Sequence, residues 1–239
     1  MNEAVTSSTA AAHAASTQAS GVYEQLREDL LSGHLKPLQK LRMRFLVDAY
    51  GTGQTPLREA LNRLTSGGLV ECRDQRGFYV KGISRSELAE LTKTRCWVEG
   101  LALRESLAAS TPEWEEALVL ALHRLGKVPR SLSAERFEDN PEWERRHRTF
   151  HRTLIGHCGS SSLIAFCEQL ADQLYRYQRL SIRVAFLSRQ VADEHRRILD
   201  AILRGDGEGA AEHLTAHYEA TAEVLLSDDT ISPGLSKAP

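Results

Sequence analysis

The chain has 239 residues, more than one small core needs and enough for two domains of ordinary size. Its 41% hydrophobic and 26% charged residues, with no apolar run long enough to cross a bilayer, fit a soluble cytoplasmic protein and exclude a membrane-spanning one. The net charge of −2 conceals a split: residues 21–83 carry ten Lys or Arg against seven Asp or Glu, a balance of +3 that leaves −5 elsewhere. A mildly basic front fits contact with phosphate, and an acidic rear does not.

In chain order, residues 1–20 are small and polar, lack the basic start and apolar block of a secretory signal, and read as a disordered tail. Val22, Tyr23, Leu26, Leu30 and Leu31 fall at helical spacing, predicting a first helix of about ten residues before Ser32 and Gly33. Residues 41–50 repeat the pattern, with Leu41, Phe45, Leu46 and Ala49 on one face and a Gly51-Thr52-Gly53 turn behind them. Thr55 then caps a third helix, with Pro56 at its first position and Leu57, Ala60, Leu61 and Leu64 as its buried stripe. After Gly67-Gly68, residues 69–72 and 78–80 read as two short strands around a charged tip. The order is helix, helix, turn, helix, hairpin.

From Ser84 onward strand signals vanish. Ser86 caps a helix to about Leu107 with Leu88, Leu91, Trp97, Leu101 and Leu103 as apolar positions, and Thr111-Pro112 opens another to about Leu125. Further helices begin at Asn140-Pro141 and at Ser161 or Ser162, the latter to about Tyr177. Two more cover about 189–203 and 208–225. These make an antiparallel bundle. The expected fold is mainly α: a winged helix-turn-helix with a small β-hairpin at 21–83, an all-α bundle at 84–228, and a flexible tail at 229–239. Cys72, Cys96, Cys158 and Cys167 show no CxxC pairing and read as reduced core thiols.

The segments 41–50, Gly53-Gln54-Thr55-Pro56-Leu57-Arg58-Glu59-Ala60-Leu61-Asn62-Arg63-Leu64 and Gly68-Leu69-Val70 resemble the GntR-type winged helix. Behind them, Arg95-Cys96-Trp97-Val98-Glu99, Phe150-His151, His195-Arg196-Arg197-Ile198-Leu199-Asp200-Ala201-Ile202 and the helix from Gly205-Asp206 to His217 resemble the FCD sensor domain of the FadR-like subfamily. The resemblance covers nearly all of residues 21–226. It implies a homodimeric, ligand-responsive transcription regulator, a repressor on a palindromic operator. Four positions depart from the pattern: Gly53-Gln54 stands where Ser-Arg is usual, His147 where Asp is common, and Ser160 where Asn is usual.

In such a module the helix that starts at Thr55 enters the major groove, so Gln54, Thr55, Arg58 and Asn62 face base edges. Arg58 has the fork for guanine O6 and N7, and Gln54 the amide for adenine N6 and N7. By resemblance Arg44 also touches DNA, while Arg73, Gln75 and Arg76 at the hairpin tip meet backbone or minor groove. Arg63 turns away or meets phosphate.

Six of the nine histidines lie between residues 147 and 217. His147 and His151 are four apart and share one helix face, while His195 and His217 come from two later helices. Such a set can hold a divalent metal with positions open for a ligand. The resemblance points to these four as ligands, with His147 in place of an aspartate. An all-imidazole set favours zinc or nickel over a hard oxygen-loving ion. His157 and His213 read as structural or surface groups. A carboxylate-bearing metabolite would complete the coordination and pair with an arginine. Arg95 is the first candidate, with an ion pair to Glu99 as the alternative, and Tyr175 and Arg176 are further candidates for the cavity wall. Control by metal alone is a second reading. A metal-dependent hydrolase is a third, but Arg148 follows His147, so HExxH is absent, and no phosphate loop or serine elbow occurs; no enzyme is expected.

Overall fold

A computed structural model of the chain describes the backbone of residues 3–133, 135, 137–185 and 190–227. It divides into two compact units, Met1–Ile83 and Ser84–Pro239. Among the described residues no helix is long and apolar enough to cross a membrane.

In the first unit, α1 (Glu3–Ser32) is followed by β1 (Lys40–Leu41), α2 (Met43–Tyr50), α3 (Gln54–Ser66), β2 (Val70–Arg73) and β3 (Gly77–Val80). The tail expected at 1–20 is instead helical from Glu3. Alanine has the highest helix propensity, and the alanine-rich stretch extends the helix nucleated by the apolar stripe at Val22, Leu26 and Leu30, with Ala19 already buried.

Helix α2 starts two residues later than its apolar spacing suggested, because Lys40 and Leu41 pair with Tyr79 and Phe78 as a third strand. The sheet order is β1-β3-β2, all antiparallel. Leu46 is the buried residue of α2; Phe45 is 63% exposed and Ala49 is exposed as well.

Helix α3 is entered from Gly53, whose carbonyl accepts from the Leu57 amide, so Thr55 lies inside the first turn and caps nothing. Its expected stripe of Leu57, Ala60, Leu61 and Leu64 is buried, and α3 packs on α1. At the hairpin tip Gln75 has φ of 56° and Gly77 has φ of 86°, a conformation that glycine adopts without Cβ strain.

The second unit comprises α4 (Arg85–Ala108), α5 (Pro112–Gly126), α6 (Pro141–Ile155), α7 (Ser161–Ala185), α8 (Val191–Leu203) and α9 (Gly207–Ser227). The cap of α4 is Ser84 rather than Ser86: its hydroxyl accepts from the Glu87 amide. Thr111 and Asn140 cap α5 and α6, and the Ser160 hydroxyl accepts from the Leu163 amide at the head of α7.

Helix α4 packs on α7 and α9, α8 on α9, and α5 on α6. Their shared core includes Leu103, Leu118, Phe150, Leu154, Ile198 and Leu214. The α4 stripe departs from expectation. Trp97 and Leu101 are 64% and 46% exposed, and the buried positions include Thr92, Arg95, Glu99 and Ser106. Arg95 and Glu99 satisfy each other inside the bundle, and such a pair leaves no mark in apolar periodicity. All four cysteines are free thiols; Cys72 is exposed rather than in the core, and Cys167 is buried. The predicted tail at 229–239 lies outside the described residues.

Candidate nucleic-acid interface and metal centre

The buried stripe of α3 turns its other face outward, and Gln54, Thr55, Arg58 and Asn62 are all exposed on it. Arg44 is exposed on α2, and Gln75 and Arg76 are exposed at the hairpin tip. Arg73 is held back: its Nε and Nη2 donate to Glu71 Oε1 at 3.0 and 2.5 Å, and its guanidinium lies 4.2 Å from the Tyr79 ring centre. Arg63, also exposed, stacks on Tyr23 of α1 with its guanidinium 4.0 Å from the ring centre. The unit thus presents a short helix and a wing tip carrying forked donors and amides, the groups that read base edges and hold phosphates.

In the second unit His147 and His151 of α6 meet His195 of α8 and His217 of α9. One donor atom from each lies within 4.8 Å of all the others. The two α6 histidines share a face through their four-residue spacing, and the packing of α8 on α9 presents the other two. His151 Nε2 is 3.1 Å from His147 Nε2 and 3.3 Å from His195 Nε2. Metal bonds of about 2.1 Å meeting at tetrahedral or right angles put donor nitrogens roughly 3.0–3.4 Å apart. The two separations at His151 match that spacing, and the four donor atoms together lie close enough for a divalent ion to draw them in.

Neighbouring groups decide which nitrogen carries the proton in two of the rings. Tyr218 donates its hydroxyl hydrogen to Glu99 and accepts from Arg95 Nη2 at 3.1 Å. His151 Nδ1, 3.0 Å from the same oxygen, is then the donor, which leaves the Nε2 lone pair facing the cluster. His217 Nδ1 donates to Glu194 Oε2 at 2.7 Å, which places a proton on that nitrogen. His147 Nδ1 faces Glu144 Oε2 at 3.9 Å, beyond hydrogen-bond reach.

Electrostatics agrees with neutral imidazoles. Burial holds His147 and His151 well below the ordinary 6.5, and the other histidines and Arg95 add to it, as does Arg130 at His147. His151, His195 and His217 are 5%, 1% and 5% exposed, whereas the His147 side chain is 14% exposed and marks the side of the cluster nearer solvent.

Arg95 takes the ion-pair alternative: its Nε donates to Glu99 Oε1 at 2.6 Å, and its guanidinium lies 3.9 Å from the Tyr218 ring centre. Burial alone would depress it, but Glu99 and Tyr218 hold it above its ordinary range. Tyr175 faces Arg148, which also binds Glu144 and Asp172. Arg176 is buried at the head of α4, where burial lowers it and Tyr177 and Glu87 oppose that shift.

Groups missed in the sequence are Tyr218, Glu194, Trp143 and Arg130. Trp143 stacks on His147 with ring centres 4.6 Å apart, and Arg130 lies 5.7 Å from the Trp143 ring centre. Trp143 was legible four residues before His147 on one helix face; Arg130 lies outside the helices, and no period places it.

Residues 18–80 match the family model described as bacterial regulatory proteins, gntR family, and residues 90–220 match that of the FCD domain. The chain is 32% identical to the HTH-type transcriptional repressor GlaR of Escherichia coli, over 82% of this chain and 90% of that protein. It is 34% identical to the uncharacterized HTH-type transcriptional regulator BphR of Paraburkholderia xenovorans, over 85% and 83%. Among solved structures, E. coli McbR/YncC superposes with a TM-score of 0.72 at 24% identity, over 87% of this chain and 96% of that one.

Proposed function

The chain belongs to the gntR family of bacterial regulatory proteins and carries an FCD domain, which makes it a DNA-binding transcriptional regulator and not an enzyme; on that basis we propose a repressor whose hold on DNA is set by a small carboxylate bound at a metal in the four-histidine cluster. The observation that carries the sensor half is the convergence of His147, His151, His195 and His217, two of them held by hydrogen bonds to Tyr218 and Glu194. Repression follows the relative that bears that name.

His147, His151, His195 and His217 would hold the metal, which would supply a Lewis-acidic, positively charged centre for an anion. Zinc or nickel suits four imidazoles. Because burial holds His147 and His151 neutral, those two rings would leave the charge of the ion uncompensated for an anion, which would arrive from the side of His147. Arg95 is occupied by Glu99 and Tyr218, so Arg130, beside Trp143 and His147, is the residue assigned to the carboxylate.

The rings connect to α4 through His151, Tyr218 and Glu99, and the cap of α4, Ser84, directly follows the DNA-binding unit in the chain. A ligand that favours one position of α4 thereby biases how two copies present their recognition helices to half-sites about one helical turn apart. Two copies are required because one module buries too little surface for tight specific binding.

The test is a thermal-shift screen of small organic acids against zinc-loaded protein, followed by the same acids on Arg130→Ala. An acid that raises the midpoint for the parent and not for the variant supports the reading. No shift with any acid, together with an operator affinity that changes with zinc alone, replaces it by control through the ion.

A further inference from the structure

On the reading that the histidine cluster is the sensor, we propose that Tyr177 of α7 is a positioning residue that ties the state of that cluster to the backbone where the DNA-binding unit ends. That unit closes at Ile83, and the next residue, Ser84, is held twice. Its hydroxyl caps α4 by accepting from the Glu87 amide at 3.1 Å, and its own amide donates to the Tyr177 hydroxyl at 3.2 Å. The same Tyr177 hydroxyl donates to Glu87 Oε2 at 2.5 Å, so Ser84, Glu87 and Tyr177 close a ring of hydrogen bonds. Tyr177 is 1% exposed, and a phenol shielded from water and bonded to a carboxylate makes a strong, charge-assisted bond.

The other end of the connection lies beside the metal centre. Arg148 follows His147 on α6, and its Nη1 donates to Asp172 Oδ1 of α7 at 2.7 Å, with the guanidinium 4.5 Å from the Tyr175 ring centre. Asp172 is buried, which shields this bond from competing water. At about 100° per residue, Asp172 and Tyr177 stand about 140° apart around the α7 axis. One side of α7 therefore takes hold of α6 and another takes hold of α4. When the histidines close on an ion, a displacement of α6 is passed through Arg148 to α7 and reaches the Tyr177 hydroxyl. Helix α4 is then tied at two heights: Tyr218 holds it at Glu99, and Tyr177 holds its first turn, about 22 Å away at 1.5 Å per residue. With the Tyr177 tie in place the first turn follows α7; without it, the change stops inside the bundle.

The experiment is amide hydrogen exchange of the full chain with zinc alone as the probe, against chelator-stripped protein, read by mass spectrometry on the fragment spanning residues 83–88. In the parent, zinc should shift the exchange rate of this fragment about fivefold or more. Tyr177→Phe keeps the ring and loses only the hydroxyl. Its exchange should be about tenfold faster than the parent's, and zinc should no longer change it. Asp172→Asn should lose the zinc-induced shift as well. Both variants should still bind zinc with an affinity within a few-fold of the parent's, measured with a chromophoric chelator. Ser84→Ala separates the tie from general stability, because it removes the cap but keeps the Ser84 amide that Tyr177 holds. It should exchange faster and keep the zinc-induced shift. A shift that persists in Tyr177→Phe, or one that is lost equally in Ser84→Ala, overturns the proposal and leaves the metal centre standing. So does a parent that binds zinc without any shift. A parent that does not bind zinc overturns this proposal together with the reading on which it rests.

Discussion

The histidine rings each have two nitrogens, and in this protein the inward ones converge because hydrogen bonds occupy outward ones at His151 and His217. Removing an outer partner should leave the ligands in place but loosen them: Tyr218→Phe and Glu194→Gln are expected to weaken zinc binding about 10- to 100-fold, measured by competition with a chromophoric chelator. Unchanged affinity in both would mean that these groups do not orient the rings.

The same burial links protonation to stability. His147 and His151 take up protons in the unfolded chain near 6.5 but resist them when folded, so the metal-free protein holds its full stability above that value. Its melting temperature should fall as pH drops from about 7.5 to about 5; a flat profile contradicts neutral buried imidazoles. Burial also pushes the Cys96 thiol up to about 11 and the Cys167 thiol up to about 12, while Cys72 is exposed. Iodoacetamide at neutral pH should therefore label Cys72 first and Cys167 last, as read by mass spectrometry.

Of these residues, the four histidines were legible in the sequence, since the four-residue spacing paired His147 with His151 and the family resemblance joined His195 and His217 to them. Tyr218 and Glu194 were not, because a tyrosine or glutamate on a helix looks the same whether it faces water or an imidazole.

At the scale of elements, the caps decide where each helix starts. Ser84 and Ser86 both precede α4, yet only the Ser84 hydroxyl accepts from a helix amide, that of Glu87. Ser84→Ala should cost about 1 kcal/mol of unfolding free energy and Ser86→Ala close to none, as measured by urea denaturation. The reverse order would return the cap to Ser86.

Apolar periodicity located the helices of the second unit to within a few residues, except that α7 runs on to Ala185. It failed where another element supplied the partner. Leu41 looked helical until β3 was there to pair with it, and Trp97 and Leu101 looked buried because their spacing could not reveal that Arg95 and Glu99 satisfy each other on the inner side. Residues 3–20 carry helix-forming alanines without an apolar stripe, so their pattern held no period to detect.

Over the whole molecule, one unit carries an exposed recognition helix and the other an imidazole cluster. Membership in the gntR family establishes the first; coupling to the second is the proposal. DNA binding itself should weaken steeply with salt, and Arg58→Ala should cost about 1–3 kcal/mol and relax the operator sequence, whereas Arg73→Ala should matter less because Glu71 already holds that side chain. Duplexes selected from a random pool supply the operator for such measurements.

The most direct test is the affinity of a fluorescent operator duplex for chelator-stripped and zinc-loaded protein, each with and without the acid found by thermal shift. Release from DNA only when zinc and acid are both present is the predicted result. Equal affinity in all four conditions would contradict the assignment of the histidine cluster as the sensor.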